Sequence, residues 1–346
     1  MGAAASRRCR ATAAHLLLLS AALLLAACAP EPAAFTGSTM GTRYSVRVTA
    51  LPEGVDAPAL QEGVDAVLRR VNDQMSTWQE DSELSRFNRS TGSDWFPVSA
   101  DLVTVVEEAR RISRLSGGAF DVTVGPLVNL WGFGPPQGDR KPPDEAQIQE
   151  AKARVGYGRI QVRASPPAIR KDRPDVYVDL SAIAKGYGVD KVAEYLESQG
   201  IDQYMVEIGG EVRARGHNPQ GVAWRIGIER PNPGLERSVQ RVMHIDGQAL
   251  ATSGDYRNYY EQDGVRLSHT IDPRTGRPIR HTLASVTVLS DTAMRADGLA
   301  TALMVLGPEE GYALALREKL AAYFIAKSPE GFVEKTTPDI DRFMKQ

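Results

Sequence analysis

Between residues 58 and 78 apolar side chains recur every three or four positions, at Leu60, Val64, Val67, Leu68, Val71 and Met75. That spacing predicts an amphipathic helix. A second helix fits Asp101–Ser116, with Leu102, Val105, Val106, Ala109, Ile112 and Leu115 on one face and Gly117-Gly118 as its stop. Strict alternation over Thr42–Thr49 (TRYSVRVT) predicts a strand instead. Further strands are predicted at Val176–Leu180, Tyr204–Ile208, Ala223–Glu229, Val242–Ile245 and Ala284–Leu289. Helices are predicted at 184–198, 293–306 and 309–319, and LAAYFIA after them reads as a strand. Residues 132–147 are rich in Gly and Pro and read as a loop. No repeat or interdomain linker is evident. The pattern is that of one mixed α+β unit with antiparallel hairpins around 204–290.

The N-terminus follows a different pattern. Arg7, Arg8 and Arg10 precede LLLLSAALLLAA at 16–27, an apolar run too short to span a membrane. Leu25-Ala26-Ala27-Cys28 then resembles a bacterial lipobox, which implies cleavage before Cys28 and a lipid on Cys28. The alternative is an ordinary small-residue cleavage site with an incidental cysteine. Residues 1–27 are therefore expected to be a lipoprotein signal peptide. Residues 28–36 are expected to be a lipidated tether, and 37–346 the folded domain. That places the protein on the periplasmic side of a bacterial membrane, inner or outer, anchored at Cys28.

The composition is that of a soluble globular protein: 346 residues, 42% hydrophobic and 24% charged. Net charge is −2, becoming −5 without the three signal arginines, and aromatics are 7%. Neither a basic surface nor a stacking platform is suggested, so nucleic acid is not an expected partner. Cys9 and Cys28 are the only cysteines. With Cys9 removed and Cys28 acylated, the mature chain has neither thiol nor disulfide.

The chain contains no GxxxxGK[ST], GxGxxG, HExxH, CxxC or GxSxG. The histidines (His15, His217, His244, His269 and His281) are dispersed, so a zinc site is not expected. Four other stretches carry candidate chemistry. In VDLSAIAKGYGVD, 178–190, Asp179 ends an apolar run, Ser181 can cap the following helix, and Lys185 falls in its first turn. A helix start suits a phosphate, and a lysine there is better placed if a phosphate lies between it and the backbone. A surface lysine and a capping aspartate account for it equally well. In MRADGLATALMVLG, 294–307, Asp297 and Thr301 share a helix face and can hold a hard cation that keeps waters and meets phosphates. The bland reading is an N-terminal acid and a threonine bonded back into its helix. In SGGAFDVTVG, Phe120 can stack on a planar ring and Asp121 can accept from a sugar or ring N–H; a helix stop followed by a strand is the structural alternative. In SHTIDPRTGRP, 268–278, His269 stands among polar turn residues, where a histidine is more often structural than catalytic.

Together these stretches resemble the FAD:protein FMN transferase family, also called the ApbE or thiamine-biosynthesis lipoprotein family. The matching residues are Gly37-Ser38-Thr39-Met40-Gly41-Thr42, Met75-Ser76-Thr77-Trp78, Gly118-Ala119-Phe120-Asp121-Val122-Thr123, VDLSAIAKGYGVD, Ile208-Gly209-Gly210-Glu211, Ala251-Thr252-Ser253-Gly254, SHTIDPRTG and ADGLATALMVLG. They run in family order over about 40–330, nearly all of the mature chain. The resemblance implies a T-fold-like α+β domain of two interlocked α/β halves around antiparallel sheets, with the ligand cleft between them. It implies Mg²⁺-dependent cleavage of FAD, transfer of FMN to a threonine of an acceptor protein such as a redox-pump subunit, and release of AMP.

By the same resemblance Met40 and Trp78 lie against the flavin or adenine portion of FAD. Ala119, Phe120 and Asp121 line the FAD site, and Asp179, Lys185, Thr270 and Ile271 contact FAD. The metal is held by Asp297, Thr301 and an oxygen from position 182, where Ala182 offers only its carbonyl. Some members carry another acid at the position of Ala300, which here is also carbonyl-only. The acceptor threonine supplies the nucleophile. His269 is the expected base, with Asp297 or a hydroxide at the metal as alternatives. Two other activities remain open at this point: FAD pyrophosphatase action on the same site, and a lipid-anchored FAD-binding protein without turnover.

Overall fold

The chain begins its fold with a hairpin, β1 (Ala33–Thr39) and β2 (Thr42–Val48), in which Phe35 pairs with Val46. The computed structural model describes residues 32–134, 141–231, 238–255, 259–262 and 265–344. The expected signal peptide, Cys28 and the first part of the expected tether lie outside these residues. The tether expected at 28–36 is too long, because Ala33–Thr36 belong to β1. Phe35 is the reason: it is buried in a core cluster with Val46, Val48 and Leu60, a side-chain role that the Ala/Pro-rich composition concealed.

Six more strands complete the main sheet: β3 (Tyr204–Ile208), β4 (Glu211–Arg215), β5 (Gln248–Gly254), β6 (Leu283–Ser290), β7 (Ala321–Ser328) and β8 (Gly331–Thr336). The eight strands lie side by side in chain order, and every neighbouring pair is antiparallel. The helices interrupt this meander twice. Helices α1 (Ala57–Met75), α2 (Ala100–Leu115) and α3 (Ala184–Ser198) fall between β2 and β3; α4 (Ala293–Arg317) falls between β6 and β7. Each half is thus a strand pair, helical material and a second strand pair. The halves share one sheet through the β4–β5 pairing. This is the expected α+β domain of two halves, and α3 of one half packs on α4 of the other.

Local chemistry explains the helices. Asp56 caps α1 by accepting from the Ala59 N–H at 3.1 Å, and Leu60, Val64, Leu68, Val71 and Met75 are buried along one face. Each such side chain contributes about 2 kcal/mol by leaving water. Ser99 caps α2, which stops at Gly117 and Gly118, both at positive φ. The two helices expected at 293–306 and 309–319 form one kinked helix, α4, broken at Gly307 (φ 81°) before Pro308. Pro308 has no N–H for the Met304 carbonyl. The His281 ring nitrogen Nε2 meets that carbonyl at 2.8 Å instead.

Three further readings do not hold. Val176, Val178 and Leu180 are buried and alternate with less buried neighbours, but among the described residues the segment pairs with no strand. The Asn88 side chain takes the place of a neighbour, accepting from the Val178 N–H and donating to its carbonyl, both at 2.8 Å. Residues 116–124 form turns rather than a strand and lead into the short helix Gly125–Leu130. The loop expected over 132–147 ends early: Asp144 forms a capping box for helix Glu145–Lys152, and 135–140 lie outside the described residues.

Candidate active site

The start of α3 brings the first group together. Ser181 does not cap the helix as expected. Its hydroxyl and N–H both donate to Asp179 Oδ1, at 2.5 and 2.9 Å, closing an aspartate turn one residue pair too early. The cap position is Ile183, without a side-chain hydrogen bond. The helix start is not an open phosphate cradle either. The Ala184 N–H donates to the Leu180 carbonyl at 2.8 Å, and the Gly186 N–H donates to Asp297 Oδ2 at 3.0 Å.

Gly186 permits this because α4 lies directly against it. A Cβ there would sit 2.2 Å from the Ala293 carbonyl oxygen. Gly188 makes room for Met40, whose Cε would be 3.0 Å from an added Cβ. Between them, the Tyr187 hydroxyl donates to Asp101 at 2.6 Å and ties α3 to α2. Asp190 completes a reciprocal arrangement. It accepts from the Ala293 and Met294 N–H groups at the start of α4, both at 2.9 Å, and from Arg213 at 2.9 Å. Each helix thus presents an aspartate to the first turn of the other, where the helix dipole favours negative charge.

Lys185 opposes that dipole, and two carboxylates compensate for it. Its Nζ lies 3.4 Å from Glu211 Oε1 and 3.6 Å from Asp297 Oδ1. Burial alone would lower the Lys185 pKa, but Asp297 and Glu211 hold it above the usual lysine range. Burial raises the Glu211 pKa, against the pull of the Lys185 charge. Glu211 was not among the expected site residues. It follows the turn Gly209-Gly210, where a Cβ on Gly209 would meet Thr42 Cγ2 at 2.9 Å. The acid directly after that Gly-Gly pair was the available signal.

Lys185 and Asp297 border a cleft of about 300 Å³. Of the expected residues, Trp78, Ala119, Phe120, Asp121, Asp179, Ala182, Lys185, His269, Thr270, Ile271, Asp297 and Thr301 line it. Met40 lines an adjoining space of about 250 Å³ that shares Thr77, Trp78, Ser181 and Lys185 with the first. Trp78 is 61% exposed, whereas Phe120 is buried. The His269 ring packs edge-on to Phe133, centroids 6.4 Å apart.

Two expected roles change. Asp121 borders the cleft, but its carboxylate already accepts from the Thr123 N–H (2.8 Å), the Thr123 hydroxyl (2.6 Å) and the Tyr157 N–H (2.7 Å). It therefore clamps the loop that carries Phe120, and burial raises its pKa. Ala300 does not reach the cleft: it is buried in the core, inside α4, where its carbonyl belongs to the helical ladder.

Ala182 differs in this respect. The Gly186 N–H that would close a helical turn onto its carbonyl goes to Asp297 instead. Ala182, Asp297 and Thr301 line one cleft, and a carbonyl, a carboxylate and a hydroxyl are oxygen donors of the kind Mg²⁺ takes beside retained waters. Among the described residues, no group of three or more His, Cys, Asp or Glu is arranged to hold a metal ion.

The ApbE family model matches residues 40–324. The chain belongs to the ApbE family. A curated FAD:protein FMN transferase from Vibrio cholerae is 50% identical over 333 residues, covering 96% of this chain and 99% of that one. One from Escherichia coli K12 is 42% identical over 345 residues, covering 95% and 97%. The solved flavin transferase ApbE of Vibrio cholerae superposes with a TM-score of 0.84 at 48% identity, covering 91% of this chain and 100% of that one. The apo flavinyl transferase ApbE of Pseudomonas stutzeri gives 0.83 at 40% identity, covering 91% and 97%. This ApbE-family chain thus shares most of its length with known flavin transferases.

Proposed function

We propose that this chain cleaves FAD at its pyrophosphate, passes FMN through a phosphoester to a threonine of an acceptor protein, and releases AMP. One arrangement carries the reading. The buried Asp297 and the Lys185 ammonium border the same cleft as Trp78, Ala119 and Phe120, so a charged end meets an aromatic, apolar one. A flavin nucleotide has that same division. The two adjoining spaces together fall within the range of about 300–1,000 Å³ usual for small-molecule sites.

Phosphoryl transfer needs alignment and charge neutralisation more than covalent help from the enzyme. Ala182 O, Asp297 and Thr301 would hold Mg²⁺, which when bound supplies positive charge against the pyrophosphate. Lys185 faces the phosphates and Trp78 offers its exposed face to a ring. His269 would take the proton from the acceptor hydroxyl. His269→Ala is expected to slow transfer about a hundredfold at neutral pH, with FAD affinity retained. Transfer at the wild-type rate across the pH range would remove His269 from that role.

With acceptor present, AMP release should match protein-bound flavin mole for mole. Free FMN in equal amount would make the chain a pyrophosphatase. The lipobox ending at Cys28 supports anchoring at the periplasmic face of a membrane. None of the described helices is long and apolar enough to cross a membrane. Cys28→Ser should move the protein from the membrane to the soluble fraction; retention in the membrane would contradict the lipid anchor.

A further inference from the structure

We propose, given Asp297 as a cation ligand, that Glu211 is a positioning residue that holds the Lys185 ammonium off Asp297 Oδ1 and keeps this oxygen open to the metal. Asp297 is the one anionic member of the donor set, since Ala182 offers a carbonyl and Thr301 a hydroxyl. Its Oδ2 is committed to the Gly186 N–H. Only Oδ1 remains, and Lys185 lies 3.6 Å from it. An ammonium at that distance is a direct competitor of a divalent cation for the same carboxylate.

Glu211 Oε1 lies slightly nearer to Lys185, at 3.4 Å, from the opposite partner of the pair. The Glu211 and Asp297 side chains are both nearly inaccessible, 5% and 6% exposed. Without Glu211, Lys185 loses its nearer partner and is free to close on Oδ1. Glu211 Oε2 is buried with no hydrogen-bond partner, a costly arrangement that Lys185 offsets. The β3–β4 turn itself is held by another acid, Glu207, which accepts from the Gly210 N–H at 2.8 Å. Anchoring that turn therefore does not require Glu211.

The test is Mn²⁺ binding to the metal-free chain, read from free Mn²⁺ by electron paramagnetic resonance without FAD or acceptor. Glu211→Gln is expected to bind Mn²⁺ about tenfold more weakly than wild type, the size of one partly screened charge contact. Lys185→Met should bind at least as tightly as wild type, and Glu211→Gln should cost less in the Lys185→Met background. Wild-type binding by Glu211→Gln, with binding lost in Asp297→Asn, would overturn the role of Glu211 alone. So would an equal loss in both backgrounds, because Glu211 would then act without Lys185. If wild type and Asp297→Asn bind Mn²⁺ alike, Asp297 is not a ligand and the metal reading falls with the proposal. Thermal melting followed by circular dichroism checks each fold. Should Glu211→Gln not fold, weaker binding by Lys185→Met overturns the proposal and binding at or above wild type supports it.

Discussion

Asp297→Asn is expected to lower FMN transfer about a thousandfold while leaving the fold intact. Asparagine keeps an oxygen for the Gly186 N–H, so the contact between α3 and α4 survives. What disappears is the charge: the only anionic group among the expected metal donors, and one of two carboxylates facing Lys185. The check is the single-turnover rate of flavin transfer at saturating FAD, beside a thermal melt. A rate within tenfold of wild type would show that Asp297 is not at the reacting phosphate.

The second large effect concerns Asp190, which touches nothing in the cleft. Asp190→Ala removes the acceptor for the Ala293 and Met294 N–H groups and the partner of Arg213. Two donors at the start of α4 lose their acceptor, and Arg213 is left with Glu197, 3.8 Å away. The expected loss is about 3–5 kcal/mol of stability, measured by urea unfolding. Asp190→Asn should cost less, since its remaining oxygen still accepts. Because Asp190 fixes the start of α4 against α3, it also sets where Asp297 meets Gly186. Flavin transfer should therefore fall in Asp190→Ala even at temperatures where it remains folded. Stability within about 1 kcal/mol of wild type would show that Arg213 and the α4 start find other partners.

Much of the architecture is legible in local periodicity. The three- and four-residue spacing of α1 and α2 and the alternation of β2 and β3 appear in the structure within about three residues of their expected ends. Two of the misreadings involve a partner distant in the chain. Val176–Leu180 has the pattern of a strand, but Val178 is held by the Asn88 side chain, 90 residues away, and the Asp179 N–H by the Val122 carbonyl. Ser181 has the chemistry of a cap, but Asp179 takes its hydroxyl and Asp297 takes the helix. The dense stretch VDLSAIAKGYGVD becomes clear only with α4 in place. Its glycines admit α4 and Met40, its tyrosine reaches α2, and its last aspartate caps α4.

The candidate site was legible in composition more than in roles. The motifs gathered Asp297, Thr301, Lys185, Phe120 and His269 onto one cleft. They did not reveal that Lys185 is balanced by Glu211, because 26 residues and the β3–β4 turn separate the two. Nor did they show that Asp121 is occupied by Thr123 and Tyr157.

The most direct test of the central claim is the intact mass of a flavin-acceptor domain after incubation with this chain, FAD and Mg²⁺. The account predicts acceptor carrying one covalent FMN, with no such product in EDTA or with Asp297→Asn. Unmodified acceptor, with FMN and AMP free in solution or FAD left whole, would contradict it.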